Sequence, residues 1–168
     1  MYTYKIFNNI AQQGINCLKD NGFIENENDP DALIIRSHNL IEKDFNPSLK
    51  CVCRAGAGVN HIPLSMATEK GVVVFNTPGG NANAVKELVI CGLLLSSRGI
   101  IQGHKFTQNI EETNINDVTN LVESNKKTFK GSELKGKTIG IIGLGSIGSL
   151  LAQSVESMGM KIIGYDPN

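Results

Sequence analysis

Apolar residues come in short blocks through the first hundred positions, and their spacing alternates between two periods. Tyr4-Lys-Ile-Phe7 reads as a strand. Over positions 10–21, Ile10, Gly14, Cys17 and Leu18 share one helical face, and Gly22 supplies the stop. Positions 31–37 form a short, nearly unbroken apolar run, and positions 49–54 repeat it. Strands of that kind are covered on both faces, as in parallel sheets. Pro63 opens a short helix through Lys70, Gly71 closes it, and Val72-Val-Val-Phe75 reads as another buried strand. Strand and helix in alternation predict βαβ units and a parallel α/β sheet.

The pattern then changes. Positions 83–103 read as one long helix, and Leu88-Val-Ile-Cys-Gly-Leu-Leu-Leu95 is apolar almost all round, which predicts burial between layers or domains. Positions 108–130 are polar, weakly helical around 115–122, and read as a solvated connector. Beyond it the alternation resumes. Lys137-Thr-Ile-Gly-Ile-Ile142 is a strand and Gly143-Leu-Gly-Ser-Ile-Gly148 a glycine-rich turn. Ile147, Leu150, Leu151, Val155 and Met158 mark one helix face, and Met160-Lys-Ile-Ile-Gly-Tyr165 is a strand ended by Asp166. The expected organisation is a first domain at 1–105, a connector at 106–134 and a βαβ unit at 135–168. Positions 138–155 hold no charge over 18 residues, a length that could suggest a membrane helix. The glycines within it favour strand, turn and helix instead.

Composition narrows the function. The 168 residues carry 16 Lys plus Arg against 16 Asp plus Glu, which argues against an electrostatic nucleic-acid binder. With 40% hydrophobic and 19% charged residues the chain can bury a core. Cys17, Cys51, Cys53 and Cys91 read as reduced thiols, Cys51 and Cys53 standing two apart on one strand face, buried, with no CxxC or paired histidine to make a metal site. The N-terminus shows no secretory h-region. Both features point to the cytoplasm. His38, His61 and His104 have no triad or metal pattern and read as surface or loop residues.

Two glycine-rich turns carry the candidate chemistry. Gly143, Gly145 and Gly148 follow a strand and open a helix, and Asp166 ends the next strand, the arrangement of a dinucleotide fingerprint. Gly143 permits the turn, Gly145 lets a pyrophosphate approach, and Gly148 lets helix and strand pack closely. Ser146 and Ile147 bring the helix N-terminus to the phosphates. Asp166 would accept the ribose hydroxyls and repel a 2′-phosphate, so NAD is favoured over NADP. A turn that only packs tightly is the alternative. The second turn, Arg54-Ala55-Gly56-Ala57-Gly58, also follows a strand, and Arg36 with Ser37 ends the strand before it. Such turns form anion-binding concavities. An anionic small substrate is one reading; two surface arginines and a sterically required turn is the other. Asn76-Thr-Pro-Gly-Gly-Asn-Ala-Asn83 either touches a cofactor or caps the following helix.

Taken in order, Arg54-Ala-Gly-Ala-Gly-Val-Asn60, Asn76-Thr-Pro-Gly-Gly-Asn81, Glu87-Leu88, Glu133-Leu-Lys-Gly-Lys-Thr-Ile-Gly-Ile-Ile-Gly-Leu-Gly-Ser-Ile-Gly148 and Gly164-Tyr-Asp-Pro167 resemble the D-isomer-specific 2-hydroxyacid dehydrogenases. The resemblance runs from about Asp31 onward and is strongest to members that oxidise 3-phosphoglycerate for serine synthesis. It implies a flavodoxin-like parallel-sheet substrate domain followed by the first βαβ unit of a Rossmann NAD-binding domain. It implies that Arg36, Ser37 and Arg54 face the anionic groups of a 2-hydroxy acid, and that the amides of Ala55, Gly56, Ala57 and Gly58 hold its carboxylate. Thr77 would touch the nicotinamide half of NAD, Ser146 and Ile147 the pyrophosphate, and Asp166 the ribose. Pro63 stands where the family has an acidic helix cap.

The family's catalytic Arg, Glu and His fall past Asn168, so no catalytic residue is expected among these positions and the chain by itself is expected to be inactive. The complete form is expected to be a homo-oligomer, with no nucleic-acid or membrane partner. A non-catalytic dinucleotide- or metabolite-binding module and a corepressor-like interaction protein of the same family are the alternatives.

Overall fold

A computed structural model describes residues 1–111 and 114–167. The chain divides into two compact units, Met1–Asn81 and Ala82–Asn168.

The first unit is a five-stranded sheet in which every pairing is parallel. Its strands are β1 (Thr3–Ile6), β2 (Ile24–Glu25), β3 (Ala32–Ile35), β4 (Cys51–Arg54) and β5 (Val73–Phe75). Their spatial order is β2-β1-β3-β4-β5. This is the flavodoxin-like order, whose switch point lies between β1 and β3, where ligands bind beyond the carboxyl ends. Helices α1 (Gln12–Asp20) and α2 (Leu64–Glu69) lie in the connections. Gly22 and Gly71 follow them with φ of +78° and +67°, the left-handed stops that the sequence places there. Pro63 is the N-cap of α2 rather than its first helical residue.

Register decides which face is core. Leu33 lies opposite Val52, and with Ile35 they pack against Leu40, Phe45, Leu49, Ile62, Ala67 and Val72. Cys51 and Cys53 point to the other face. There Val73 and Phe75 are 54% and 55% exposed, so β5 is not the buried strand its apolar run predicts. It is the edge strand, covered on one face only. Both thiols are half-buried rather than buried, and Cys17 and Cys91 are exposed.

Asp31 ties the amino ends of three strands together. Its Oδ2 accepts from the Thr3 N–H at 2.8 Å and the Thr3 hydroxyl at 3.0 Å, and its Oδ1 pairs with Lys50. The Lys50 ammonium first, then the Thr3 amide, holds this carboxyl down to about 2.

The second unit contains α3 (Ala82–Ser97), α4 (Ile100–Gln108), α5 (Ile115–Asn125), a 3₁₀ turn (Lys126–Phe129), β6 (Thr138–Ile142), α6 (Ser146–Ser157) and β7 (Lys161–Tyr165). Strands β6 and β7 pair in parallel across α6. The core is Leu134, Ile141, Leu151, Val155 and Met160, with Val89, Ile90 and Leu93 of α3 packed onto it. Gly148, Leu151 and Val155 form the buried stripe of α6, whereas Ile147 and Leu150 are exposed. The helix is turned from the face that its apolar spacing predicts, because Gly148 must sit against the strand.

The long helix expected over 83–103 is two helices. A backbone crossing breaks it: the Gly99 N–H donates to the Phe129 carbonyl at 3.2 Å, and the Ser132 N–H to the Ser97 carbonyl at 2.9 Å. A Cβ at Gly99 would lie 2.6 Å from the Phe129 oxygen, and one at Gly131 would lie 1.9 Å from the Ser97 oxygen. Only glycines allow the two chains to meet there. Nor is α3 buried all round: Ala82 is its one buried residue and Leu88 is 72% exposed.

The stretch read as a connector holds α5, capped by the Asn114 side chain accepting from the Asn116 N–H at 2.9 Å. Its residues 112 and 113 lie outside the described residues. Positions 138–155 fold as strand, turn and helix. No helix among the described residues is long and apolar enough to cross a membrane.

Candidate functional site

The first site lies at the switch point of the five-stranded sheet. A cavity of ≈430 Å³ opens there, lined from β1 onward by Asn9, Ile10, Ala11 and Gly14. Arg36 lines it from the end of β3, Ala55 and Gly56 from the end of β4, and Thr77, Gly80 and Asn81 from the end of β5. The parallel topology puts these four loops at one edge, whatever their separation in sequence. Arg36 is exposed, and among the described residues its guanidinium makes no ion pair. It is a cation available to an anionic ligand.

Arg54 is placed differently. Its Nε donates to the Arg36 carbonyl at 3.1 Å and its Nη1 to the Gly58 carbonyl. The guanidinium lies under its own loop, so close that a Cβ at Gly58 would stand 3.0 Å from Nη1 and one at Gly56 3.3 Å from Cζ. Two of the five guanidinium donors thus brace the turn that carries Arg54.

The loop amides are also partly committed. The Ala55 N–H continues the ladder to the Ile35 carbonyl at 2.8 Å, and the Gly56 N–H closes onto the Arg54 carbonyl at 2.9 Å. Neither is available to a carboxylate while it does so. Ala57 and Gly58 do not line the cavity. The Ala57 carbonyl accepts from the Asn76 amide at 2.7 Å. Thr77 joins the same group, its N–H donating to the Gly56 carbonyl at 3.0 Å. Ser37 is held through its N–H by the Asn8 side chain at 2.9 Å. The structure thus brings Arg36, Ala55, Gly56 and Thr77 together at the cavity. Asn8 and Asn9 are absent from the sequence reading, although two asparagines directly after a strand are a turn signal.

The second site is the turn between β6 and α6. Gly143 has φ +90°, which a side chain rarely adopts. Its N–H donates to the Tyr165 carbonyl at 2.8 Å, and the Leu144 N–H donates to Asp166 Oδ2 at 2.6 Å. Asp166 therefore closes the turn at the end of β7. A Cβ at Gly148 would lie 2.0 Å from the Gly143 oxygen, whereas one at Gly145 meets nothing within 4 Å. The three glycines differ in their surroundings: Gly143 bends the chain, Gly148 is pressed against it, and Gly145 has space above it. Gly145 is the N-cap of α6, and no side chain caps that end, so Ser146 and Ile147 open the helix with its positive dipole end uncovered.

The histidines take no part in either turn. His61 Nδ1 hydrogen-bonds Asn39 Oδ1, and His38 stacks on Phe7 at 4.1 Å. Among the described residues no His, Cys, Asp and Glu cluster could hold a metal. Cys51 and Cys53 share one face of β4. The neighbouring Cys53 thiol brings the Cys51 thiol down to about 7, while the same neighbour and burial push Cys53 up.

A parallel sheet with its cavity at the switch point, and a glycine-rich βαβ turn closed by an acidic residue, define a parallel α/β protein whose second turn has the form of a dinucleotide fingerprint. Residues 6–162 match the family model "D-isomer specific 2-hydroxyacid dehydrogenase, catalytic domain", and the chain belongs to that family. It is 38% identical over 147 residues to D-3-phosphoglycerate dehydrogenase of Methanocaldococcus jannaschii, covering 86% of this chain and 26% of that protein. It is 39% identical over 140 residues to hydroxypyruvate reductase of Thermotoga maritima, covering 82% of this chain and 42% of that one. The chain thus spans less than half the length of either relative. The crystal structure of NAD⁺-bound 3-phosphoglycerate dehydrogenase from Entamoeba histolytica matches with a TM-score of 0.70 and 27% identity, covering 99% of this chain and 54% of that chain.

Proposed function

We propose that the chain forms the substrate-binding part and the first nucleotide-binding unit of an NAD-dependent dehydrogenase that oxidises D-3-phosphoglycerate, a step of serine synthesis. The observation that carries the reading is the turn at Gly143–Gly148. It is packed at Gly148, open above Gly145, and closed by Asp166, and a dinucleotide needs all three. The residues fit NAD: the uncapped end of α6 at Ser146 and Ile147 suits the pyrophosphate, and a carboxylate at the end of β7 suits ribose hydroxyls and opposes a 2′-phosphate. When bound, NAD supplies the hydride acceptor. Arg36 orients the acid through its anionic groups, and Arg54 keeps the loop beside it in shape. The 3-phosphoglycerate assignment is supported by relatives at 38–40% identity that carry that activity in their names.

Calorimetric titration of the 168-residue chain with NAD and NADP tests the reading. NAD is expected to bind more tightly, and Asp166→Ala to weaken NAD while narrowing the difference. Equal affinity for the two cofactors in the parent chain would overturn it.

A further inference from the structure

We infer that Asn8 is a positioning residue for the anion site, its amide oxygen gathering the N–H groups of Arg36, Ser37 and His38 and so fixing the segment from which Arg36 reaches the cavity. The inference rests on the reading of that cavity as the site of an anionic acid.

Asn8 directly follows β1, where the chain leaves the sheet. The last rung between β1 and β3 is the Phe7 N–H to the Ile34 carbonyl at 2.8 Å. Beyond it β1 and β3 send their loops in different directions, which is what opens the cavity. Asn8 Oδ1 bridges the gap, accepting from the N–H of Arg36 at 3.3 Å, Ser37 at 2.9 Å and His38 at 2.8 Å. Three successive donors on one oxygen fix the backbone of the loop that carries Arg36. The next residues of the first loop, Asn9 and Ile10, line the cavity from the other side. One side chain thus joins two walls of the pocket.

The backbone supports the assignment. Asn8 has φ +72°, and it is the one non-glycine residue with positive φ among the described residues. Asparagine tolerates that conformation better than most residues, and aspartate shares this tolerance. Glycine would adopt it more easily still, but glycine has no acceptor. The position therefore requires both a left-handed backbone and an oxygen at Cγ. His38 is placed a second time by its ring on Phe7, and Arg36 by the bond from Arg54 Nε to its carbonyl, so Ser37 is the residue whose placement depends most on Asn8.

The test compares the parent chain with Asn8→Gly and Asn8→Asp, titrating 3-phosphoglycerate and, separately, inorganic phosphate, and following amide hydrogen exchange by NMR. Asn8→Gly is expected to raise the Kd for 3-phosphoglycerate about tenfold, as expected for losing hydrogen bonds that each contribute modestly. It is expected to speed exchange at Arg36, Ser37 and His38 while Val52 in the core keeps its protection. Asn8→Asp, which keeps the acceptor, is expected to keep the slow exchange at these three amides, while its added carboxylate weakens the binding of either anion. Parent-like binding by Asn8→Gly overturns the inference and leaves the acid-site reading standing. So does exchange at Arg36, Ser37 and His38 in Asn8→Asp as fast as in Asn8→Gly. Should Asn8→Gly unfold, the parent decides: unprotected amides at Arg36, Ser37 and His38 overturn the inference, and slow exchange there supports it. A parent chain that binds neither anion overturns the acid-site reading, and with it the purpose assigned to Asn8.

Discussion

The guanidinium of Arg54 donates to the carbonyl of Gly58, four residues further along the same loop. A second bond, from Nε to the Arg36 carbonyl, joins that loop to the neighbouring strand. The guanidinium that follows β4 is thus bonded to the backbone at two of its donors, and Arg36 is the arginine that lines the cavity.

Arg54→Ala is therefore expected to cost folding stability, by about 1–3 kcal/mol for charge-assisted bonds to carbonyls, with the lower end favoured by solvent exposure. Gly58→Ala should act in the same direction by displacing Nη1. Urea unfolding of the two variants checks this; a stability unchanged from the parent in both would return Arg54 to the ligand.

The glycines at the second turn are expected to separate folding from binding. Gly148→Ala sets a Cβ against a backbone oxygen that cannot move aside, and a loss of about 3 kcal/mol is expected. Gly145→Ala meets open space and is expected to unfold with the parent yet bind NAD poorly. Thermal unfolding and NAD titration of both variants read the two effects independently. A Gly145→Ala chain that binds NAD normally would show that the space above Gly145 is not used by the cofactor.

How much of this was readable in advance depends on the range of the force involved. Alternation and punctuation by Gly22, Gly71 and Gly143 gave the parallel architecture, because strand and helix periods are local. β2 was not seen, since two residues carry no period. The apolar run of β5 could not reveal that it is the sheet edge, which depends on what the other strands do. Gly99 read as an interior helix residue because its reason is Phe129, thirty positions away in sequence. In the candidate sites, Gly143, Gly148 and Asp166 follow from motif geometry. Arg54 could not be assigned between ligand and loop without knowing where its guanidinium turns. Asn8 was missed because its partners lie on another strand.

Asp31 gives the acid limb of stability. Its carboxyl sits at about 2 in the fold against an ordinary 3.8, so between those values the unfolded chain binds more protons. The contribution is complete above about pH 4 and is lost as pH falls through about 2. Asp31→Asn is expected to flatten the dependence of Tm on pH across that window. A variant with the parent's slope would place the acid sensitivity elsewhere.

The pair on β4 can be read by alkylation. Because the neighbouring Cys53 thiol favours the Cys51 thiolate, Cys53→Ala is expected to move the midpoint of Cys51 alkylation upward from about 7. Iodoacetamide rates across pH, followed by peptide mass analysis, measure it. An unmoved midpoint would mean that the two thiols do not share a proton.

The crossing at Gly99 and Gly131 makes the segment between them a closed appendix. Its base is clamped by two backbone bonds, and inside it Phe106 lies against Phe129 at 5.2 Å. Chain length within the appendix is then nearly decoupled from the rest of the unit, since lengthening an already closed excursion adds little entropy cost. Residues can be added or removed around α5 without altering where β6 begins, whereas a single methyl group at either glycine would force the base apart. The positions that tolerate change and those that do not thus lie within one excursion of the chain, the intolerant ones being the two glycines at its neck.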